Sequence, residues 1–338
     1  MSKNTNQRLI LKILLRLPTW LGDAIMATPA YYALKNQFPK AQFTLIGSKA
    51  SLGIFQREEV VSIIDKSKES KNRLLYLYKL GKNLGKFDIA ITLQNNFPSA
   101  WLLWATGSKT RIGYRGNARS FLLTHSLPKQ KHLHQVLQYT HLLSALSINI
   151  QNPHLQLNAN PQKRGKLTRI GVSAGAKYGS AKRWCESYFV EVITTLLQEG
   201  YEVLLYGGVE ETHSNQRISN ALQNLAPIQH FHNLTAKTSI TELIDSIASL
   251  DLFLTNDSGP MHIASALSIP LVAIFGPTDC KETSPFNTQA PQIILNKHLE
   301  CSPCKKRECP LKHHQCMKLI TPDEVLNSIK SLLHQSEV

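Results

Sequence analysis

Asp23 follows Gly22 in the stretch 16–29, between an apolar run at 9–17 and the pair Thr28-Pro29, which suits an N-cap and first helical turn. A carboxylate on a strand-to-helix loop lies at the C-terminal edge of a sheet, where open α/β sheets bind ligands. There it could take a proton from a hydroxyl, or it could simply cap a turn. A second set is Asn256-Asp-Ser-Gly-Pro-Met-His262. Gly259 lets backbone approach a ligand, and the amides of Ser258 and Gly259 at a helix start can hold a phosphate. Asp257 would repel a phosphate and suits sugar hydroxyls or a helix cap. His262 lies in the first turn, where a lone histidine can pack or function. A third set is the loop 173–184, with two glycines and the cations Lys177, Lys182 and Arg183. It lacks the Gly-Lys-Ser/Thr ending of a P-loop, yet Lys182 and loop amides could clamp a diphosphate above Trp184 as a packing anchor.

Gly207-Gly208 followed by Glu210 and Glu211 could bring a carboxylate to a ribose, or could place acids at a helix N-terminus. The segment 109–119 carries Lys109, Arg111, Arg115 and Arg119 with no acid. Arginine forks suit carboxylates and phosphates, so it reads as an acceptor-binding loop, with a solvated loop as the alternative. Cys301, Cys304, Cys309 and Cys316, with His313 and His314 between, could bind structural zinc, although the spacing is not that of a standard ribbon. Neighbouring reduced thiols are the other reading.

The elements that must position these residues alternate. Strands are expected at 8–17, 41–46, 60–64, 89–93 and 110–114, and helices at 28–38, 71–84, 98–106 and 132–147. Residues 149–168, rich in Asn, Gln, Pro and Lys, read as a linker. A second series follows: strands at 169–172, 201–206, 251–255 and 271–275, helices at 186–198, 211–224 and 260–267, and a capping box at Ser239-Ile-Thr-Glu242 opening a helix to 250. A last helix spans 322–334. The alternation predicts an α/β chain of two Rossmann-like domains with parallel sheets.

The chain of 338 residues has 42% hydrophobic content, enough for two ordinary cores. No run reaches membrane-span length and no signal peptide is recognised, so the expected compartment is the cytosol, with reduced cysteines. The net charge is +15, and between Asp88 and Glu186 no acid occurs. Such an interval suggests an anionic partner: a phosphorylated small molecule, an anionic lipid surface or a nucleic acid. No RNA-recognition or helix-turn-helix signature supports nucleic acid, and aromatic residues do not interleave with the basic run. The first strand lacks a Gly-x-Gly-x-x-Gly continuation, which argues against a dehydrogenase.

Taken together, Leu21-Gly-Asp-Ala-Ile, Thr28-Pro29, Arg111-Ile-Gly-Tyr, Ala181-Lys-Arg-Trp184 and Asn256-Asp-Ser-Gly-Pro-Met-His-Ile-Ala-Ser-Ala with Phe275-Gly-Pro-Thr278 resemble the ADP-heptose:lipopolysaccharide heptosyltransferases, and the loop before Lys182 and the Cys-rich tail resemble heptosyltransferase II in particular. Cys185 stands where proline often follows the Trp. The resemblance implies a GT-B fold, two Rossmann-like domains facing across a cleft: an acceptor domain at 1–155, an ADP-sugar domain at 156–320 and a terminal helix at 321–338 returning to the first domain. It implies an inverting transfer of heptose from ADP-heptose to the first heptose of the inner core on lipid A, without bound metal or cofactor, at the cytoplasmic face of the inner membrane and without nucleic acid. In that reading Asp23 is the base, because the other acids before residue 150 are Glu58, Glu59, Asp65 and Glu69, in charged surface stretches, and Asp88, on the wrong sheet edge. Lys182, Ser258, Gly259 and His262 belong to the donor site, Glu211 meets the ribose, Asp257 the heptose, and Arg111, Arg115 and Arg119 the acceptor.

Overall fold

The computed structural model describes residues 10–161, 165–223, 225, 228–286 and 289–335. It comprises two units, Met1–Pro153 and His154–Val338. In the first, β1 (Lys12–Arg16), β2 (Gln42–Gly47), β3 (Val61–Ile64), β4 (Ile89–Thr92), β5 (Thr110–Tyr114) and β6 (His125–Leu127) form one sheet. Its order is β3-β2-β1-β4-β5-β6, with every pair parallel. The second holds β7 (Arg169–Ser173), β8 (Glu202–Tyr206), β9 (Phe231–Asn233), β10 (Leu252–Asn256), β11 (Leu271–Ile274) and β12 (Gln292–Leu295). These run β12-β11-β10-β7-β8-β9, again all parallel.

The two orders are the same order. In each unit the first strand lies between the second and the fourth, so the chain winds outward in both directions from one central pair: β1/β4 in the first unit and β7/β10 in the second. That pair is the topological switch point, where helices leave the sheet in opposite directions and open a crevice at the C-terminal edge. The central strands are short apolar runs, Ile13-Leu14-Leu15 in β1 and Leu252-Phe253-Leu254 in β10, all inaccessible to solvent. Strands covered on both faces need such runs rather than alternation, and each buried Leu or Ile contributes roughly 1.5–3 kcal/mol.

Three edge strands were not expected from sequence: β6, β9 and β12. They are three or four residues long and mostly half-buried or exposed, too short and too polar for a periodic signal. The expected helix at 132–147 divides into Gln135–His141 and a tighter 3-10 segment, Leu142–Leu146. Thr28 is not an N-cap; a separate short helix, Leu21–Met26, precedes it, and the Thr28 hydroxyl donates to the Ile25 carbonyl at 2.8 Å. The Ser239–Glu242 capping box forms as read, with both reciprocal bonds.

The last helix, Pro322–Gln335, packs within the second unit. Its buried stripe Val325, Ile329 and Leu332 belongs to the core of the second unit, with Leu196, Ile274 and Met317. The residues leading into it are pinned there as well, because the Trp184 indole N–H donates to the Ile320 carbonyl at 2.9 Å.

Two acids assigned to the surface are instead structural. Glu58 accepts from Tyr31, Tyr32 and Lys35, and its side chain is 3% exposed. Asp65 accepts from fully buried Arg16 at 2.6 Å and from the Ser67 amide. Burial alone would push Glu58 up, but the hydrogen bonds from Lys35, Tyr32 and Tyr31 outweigh it and hold the carboxyl below its usual range. A carboxylate lowered in the fold stabilises above its unfolded pKa and loses that contribution as pH falls through its folded value. Glu58→Gln is therefore expected to lower the melting temperature at pH 7 and to flatten the decline below about pH 4. An unchanged acid limb in thermal unfolding would count against this assignment.

Candidate functional site

In the first unit, Asp23 occupies the first turn of the helix Leu21–Met26, directly beyond the C-terminal end of β1. It is half-buried. The Tyr139 hydroxyl, from the helix Gln135–His141, donates to Asp23 Oδ1 at 3.3 Å. Burial, then the charge of Asp23 and the bond to it, push the Tyr139 phenol well above its usual pKa, so it keeps its proton and remains a donor. Across the switch point, the Gln94 side-chain amide donates to the Leu17 carbonyl at 2.7 Å, tying the end of β4 to the end of β1 beside this helix. Tyr139 and Gln94 carried no sequence signal, because each acts through a neighbour distant in the chain.

The three arginines expected at the acceptor separate. Arg119 is fully buried; its Nε donates to the Tyr114 carbonyl and Nη1 to the carbonyls of Gln94 and Asn96 and to Ser99 Oγ. Burial pulls its guanidinium down to about 10. Arg111 donates to the carbonyls of Leu122 and Ser108 at 2.8 and 2.6 Å. The Nε and Nη1 groups of both arginines are engaged mainly by backbone carbonyls, so these residues brace the loop, and Arg119 Nη2 is buried without a hydrogen-bond partner. Arg115 alone of the three is exposed. Next to it the chain turns through positive φ at Gly116, Asn117 and Ala118, a path opened by the glycine at φ +104°.

In the second unit, the donor-type residues meet at the β7/β10 switch point. β7 ends at Ser173 and delivers the loop 174–184; β10 ends at Asn256 and delivers Asp257 and Ser258 to the helix Gly259–Ala266. Asn256 stitches the two together. Its Nδ2 donates to the Ala174 carbonyl at 2.8 Å and its Oδ1 accepts from the Trp184 amide at 3.2 Å, so one buried side chain holds both ends of the loop. Lys182 Nζ lies 2.6 Å from Asp257 Oδ2, with side chains 12% and 5% exposed, and 4.9 Å from the centre of the Tyr178 ring. The Thr278 hydroxyl donates to the same Asp257 oxygen. Ser258 is the N-cap and Gly259 the first residue of a helix whose positive end faces this crevice; His262 lies one turn behind, buried at 3% exposure.

Glu211 is buried, and its Oε2 accepts from the Gly208 amide at 2.7 Å. Its side chain packs where Gly175 has no Cβ; an added carbon there would lie 2.2 Å from Glu211 Cγ. Glu210 stays at the surface in an ion pair with Lys177. Trp184 is the buried anchor expected, edge-on to Tyr188 and Phe189.

The Cys-rich segment reaches back to this loop. The Ala181 amide donates to the Arg307 carbonyl at 3.0 Å, the Tyr178 hydroxyl to the Lys305 carbonyl at 2.9 Å, and His314 Nε2 lies 2.9 Å from the Ala181 carbonyl. Cys301, Cys304, Cys309 and Cys316 line one small cavity with His313 and His314. Among the described residues no three His, Cys, Asp or Glu side chains are placed so as to hold a metal ion. Burial, and then the neighbouring thiols, raise Cys316 to about 11, which leaves it protonated. Through these three contacts the segment acts as a clasp on the Lys182 loop. The tightest point is Gly179, where an added Cβ would lie 2.2 Å from the Arg307 carbonyl oxygen. Gly179→Ala is expected to open the clasp at a cost of about 1–3 kcal/mol. The check is a lower melting temperature together with weaker ADP binding by calorimetry.

Residues 77–315 match the profile of glycosyltransferase family 9 (heptosyltransferase). The chain belongs to this family. Family membership makes it a glycosyltransferase, as the sequence motifs implied. It is 38% identical over 332 residues to lipooligosaccharide heptosyltransferase 2 of Campylobacter jejuni, covering 95% of this chain and 99% of that one. It is 28% identical to lipopolysaccharide heptosyltransferase 2 of Escherichia coli over 97% of this chain and 100% of the relative. The solved structure of E. coli ADP-heptose heptosyltransferase II superposes with a TM-score of 0.79 at 27% identity, over 97% of this chain and all of the other. The α/β architecture of two six-stranded parallel sheets is the GT-B class expected for the family. Asp23 lies before the span matched by the family profile, whereas Lys182, Glu211 and 256–262 lie within it.

Proposed function

We propose that this glycosyltransferase moves L-glycero-D-manno-heptose from ADP-heptose to the first heptose of the lipopolysaccharide inner core, with inversion and without a metal. One observation carries the proposal. In a chain alike over nearly its whole length to heptosyltransferases 2, each sheet presents half of a single displacement at its switch point: a carboxylate, Asp23, in the first unit, and a half-buried lysine beside a helix N-terminus in the second.

A single displacement forms one bond from the acceptor oxygen to the anomeric carbon as the bond to the ADP oxygen breaks. Asp23 removes the acceptor hydroxyl proton, and Tyr139 keeps the carboxylate oriented. Negative charge collects on the departing diphosphate. Lys182 and the amides of Ser258 and Gly259 receive it, in surroundings where such charge is strongly stabilised. Asp257 holds Lys182 until the nucleotide arrives and then serves the heptose hydroxyls. Glu211 uses its second oxygen for the ribose. Arg115 meets acidic groups of the acceptor, on a loop that Arg111 and Arg119 hold in shape. The enzyme works at the cytoplasmic face of the inner membrane.

Product mass analysis tests the assignment. Purified protein with ADP-heptose and a one-heptose lipid A acceptor should yield the two-heptose product. Heptose-free and two-heptose acceptors should remain unmodified. Transfer to either of these instead, or no transfer from ADP-heptose, would overturn the proposal.

A further inference from the structure

In the first unit, the helices Arg73–Leu84 and Phe97–Ala105 pack together and, with Phe121 of the 3-10 turn Ser120–Leu122, bring five aromatic rings into one continuous row. Phe121 lies 6.4 Å from Phe97, Phe97 6.1 Å from Trp101, Trp101 4.8 Å from Trp104, and Trp104 6.3 Å from Tyr78, between ring centres. Phe97 and Trp101 pack on the core with one side, but the row reaches the surface: Phe121 is 76% exposed and Trp104 41%, and Leu74 and Leu75 beside it are 41% and 49% exposed. The Trp101 indole N–H donates to the Leu74 carbonyl, which fixes its ring between the two helices. Single exposed apolar residues need no explanation, but a contiguous aromatic strip marks an interaction surface.

The charges around it are mostly basic, with Glu69 and Asp88 at its margins. Lys82 Nζ sits 5.4 Å over the Tyr78 ring, and Lys71, Lys79, Lys86 and Lys109 are exposed on the same two helices and their flanks. Between residues 70 and 185 the only acid is Asp88, just before β4 and near Lys86 and Lys109, and its carboxylate accepts from the Lys12 amide. The sequence did not show this pairing, since the rings and the lysines alternate only after the two helices are laid side by side.

We propose that this face docks on an anionic lipid bilayer, with the Phe121, Trp104 and Leu74 side chains at the headgroup level and the lysines above them. Amphipathic rings favour the interfacial zone, and each lysine near an anionic leaflet adds a modest electrostatic attraction. Charge complementarity selects the occupant: a second copy of this chain would set lysines against lysines. The proposed reaction on a lipid-linked acceptor gives the docking its purpose, and the test below separates the two claims.

The experiment is co-sedimentation of the full chain with vesicles of phosphatidylethanolamine and phosphatidylglycerol, against pure phosphatidylcholine. Preference for the anionic vesicles, loss of binding in high salt and quenching of tryptophan emission by brominated acyl chains are expected. Phe121→Asp and Lys79→Glu, both at exposed positions, should together lower the partition coefficient about tenfold or more. Both should leave turnover on a water-soluble, deacylated acceptor unchanged. Equal partitioning of the variants, absence of vesicle binding, dilution-dependent dimers through this face, or tighter binding to single-stranded nucleic acid would each overturn the proposal. Failure of heptose transfer itself would show only in the soluble-acceptor assay.

Discussion

Asp23→Asn is expected to lower turnover by about 10²–10⁴-fold, the usual worth of a positioned base, while ADP-sugar affinity stays within twofold. The size of the effect follows from the lack of a substitute. Glu58 is held by two tyrosines and a lysine, Asp65 by Arg16, and Asp88 by the Lys12 amide. Glu59 and Glu69 are exposed on the segment around β3, an edge strand two positions from β1. Asparagine keeps the shape of Asp23 and can still accept from Tyr139, so loss of fold should not contribute. Tyr139→Phe provides a graded comparison. It removes one orienting bond and should reduce turnover by about 3–10-fold, with little change in donor affinity. Single-turnover rates with saturating donor check both variants. Retained chemistry in folded Asp23→Asn would remove this residue from the base role.

Lys182→Ala is expected to weaken ADP binding by roughly 10–100-fold, the worth of a charge-assisted contact in a sheltered site. The Lys182–Asp257 pair makes a single variant ambiguous. Removing the lysine leaves Asp257, at 4% exposure, with Thr278 as its remaining donor among the bonds described, and a buried carboxylate can repel a diphosphate unaided. The double variant Lys182→Ala/Asp257→Ala resolves this. If Lys182 serves only to neutralise Asp257, the double variant recovers ADP affinity. If Lys182 grips the phosphates, it stays weak. Titration calorimetry of the four forms gives the coupling directly. The second outcome is the expected one.

Most of the fold was legible because the central strands announce themselves. Lys-Ile-Leu-Leu-Arg and Leu-Phe-Leu-Thr-Asn are short buried runs followed by turn residues, and the switch points fall at their ends. The loops carrying Asp23, Lys182 and 256–262 could be placed for the same reason, since each is adjacent in sequence to such a strand. What stayed hidden depends on contacts far apart in the chain. Arg119 reads as an open fork until its carbonyl partners at 94, 96 and 114 are known. Asp65 and Glu58 read as surface charges until Arg16 and Tyr31 are brought to them. The apolar stripe of the last helix says that it packs, not that it packs on the sheet of the second unit. Asn256 is the instructive case: it was quoted as part of a motif, yet its work in joining two loops 82 residues apart is invisible without the register of β7 beside β10.

The clasp on the Lys182 loop bears on how the protein comes into being. As the chain is synthesised from its N-terminus, β7, β8 and β10 are all available before residues 301–320 have emerged. The carbonyls of Lys305 and Arg307 and the ring of His314 therefore reach Tyr178 and Ala181 only late in translation. A ribosome-bound chain stopped near residue 295 would hold every strand described in both sheets and still lack the contacts that fix the Lys182 loop. For the same reason, a chimera that borrows residues 173–184 from a relative would have to borrow the partner stretch 305–314 with it.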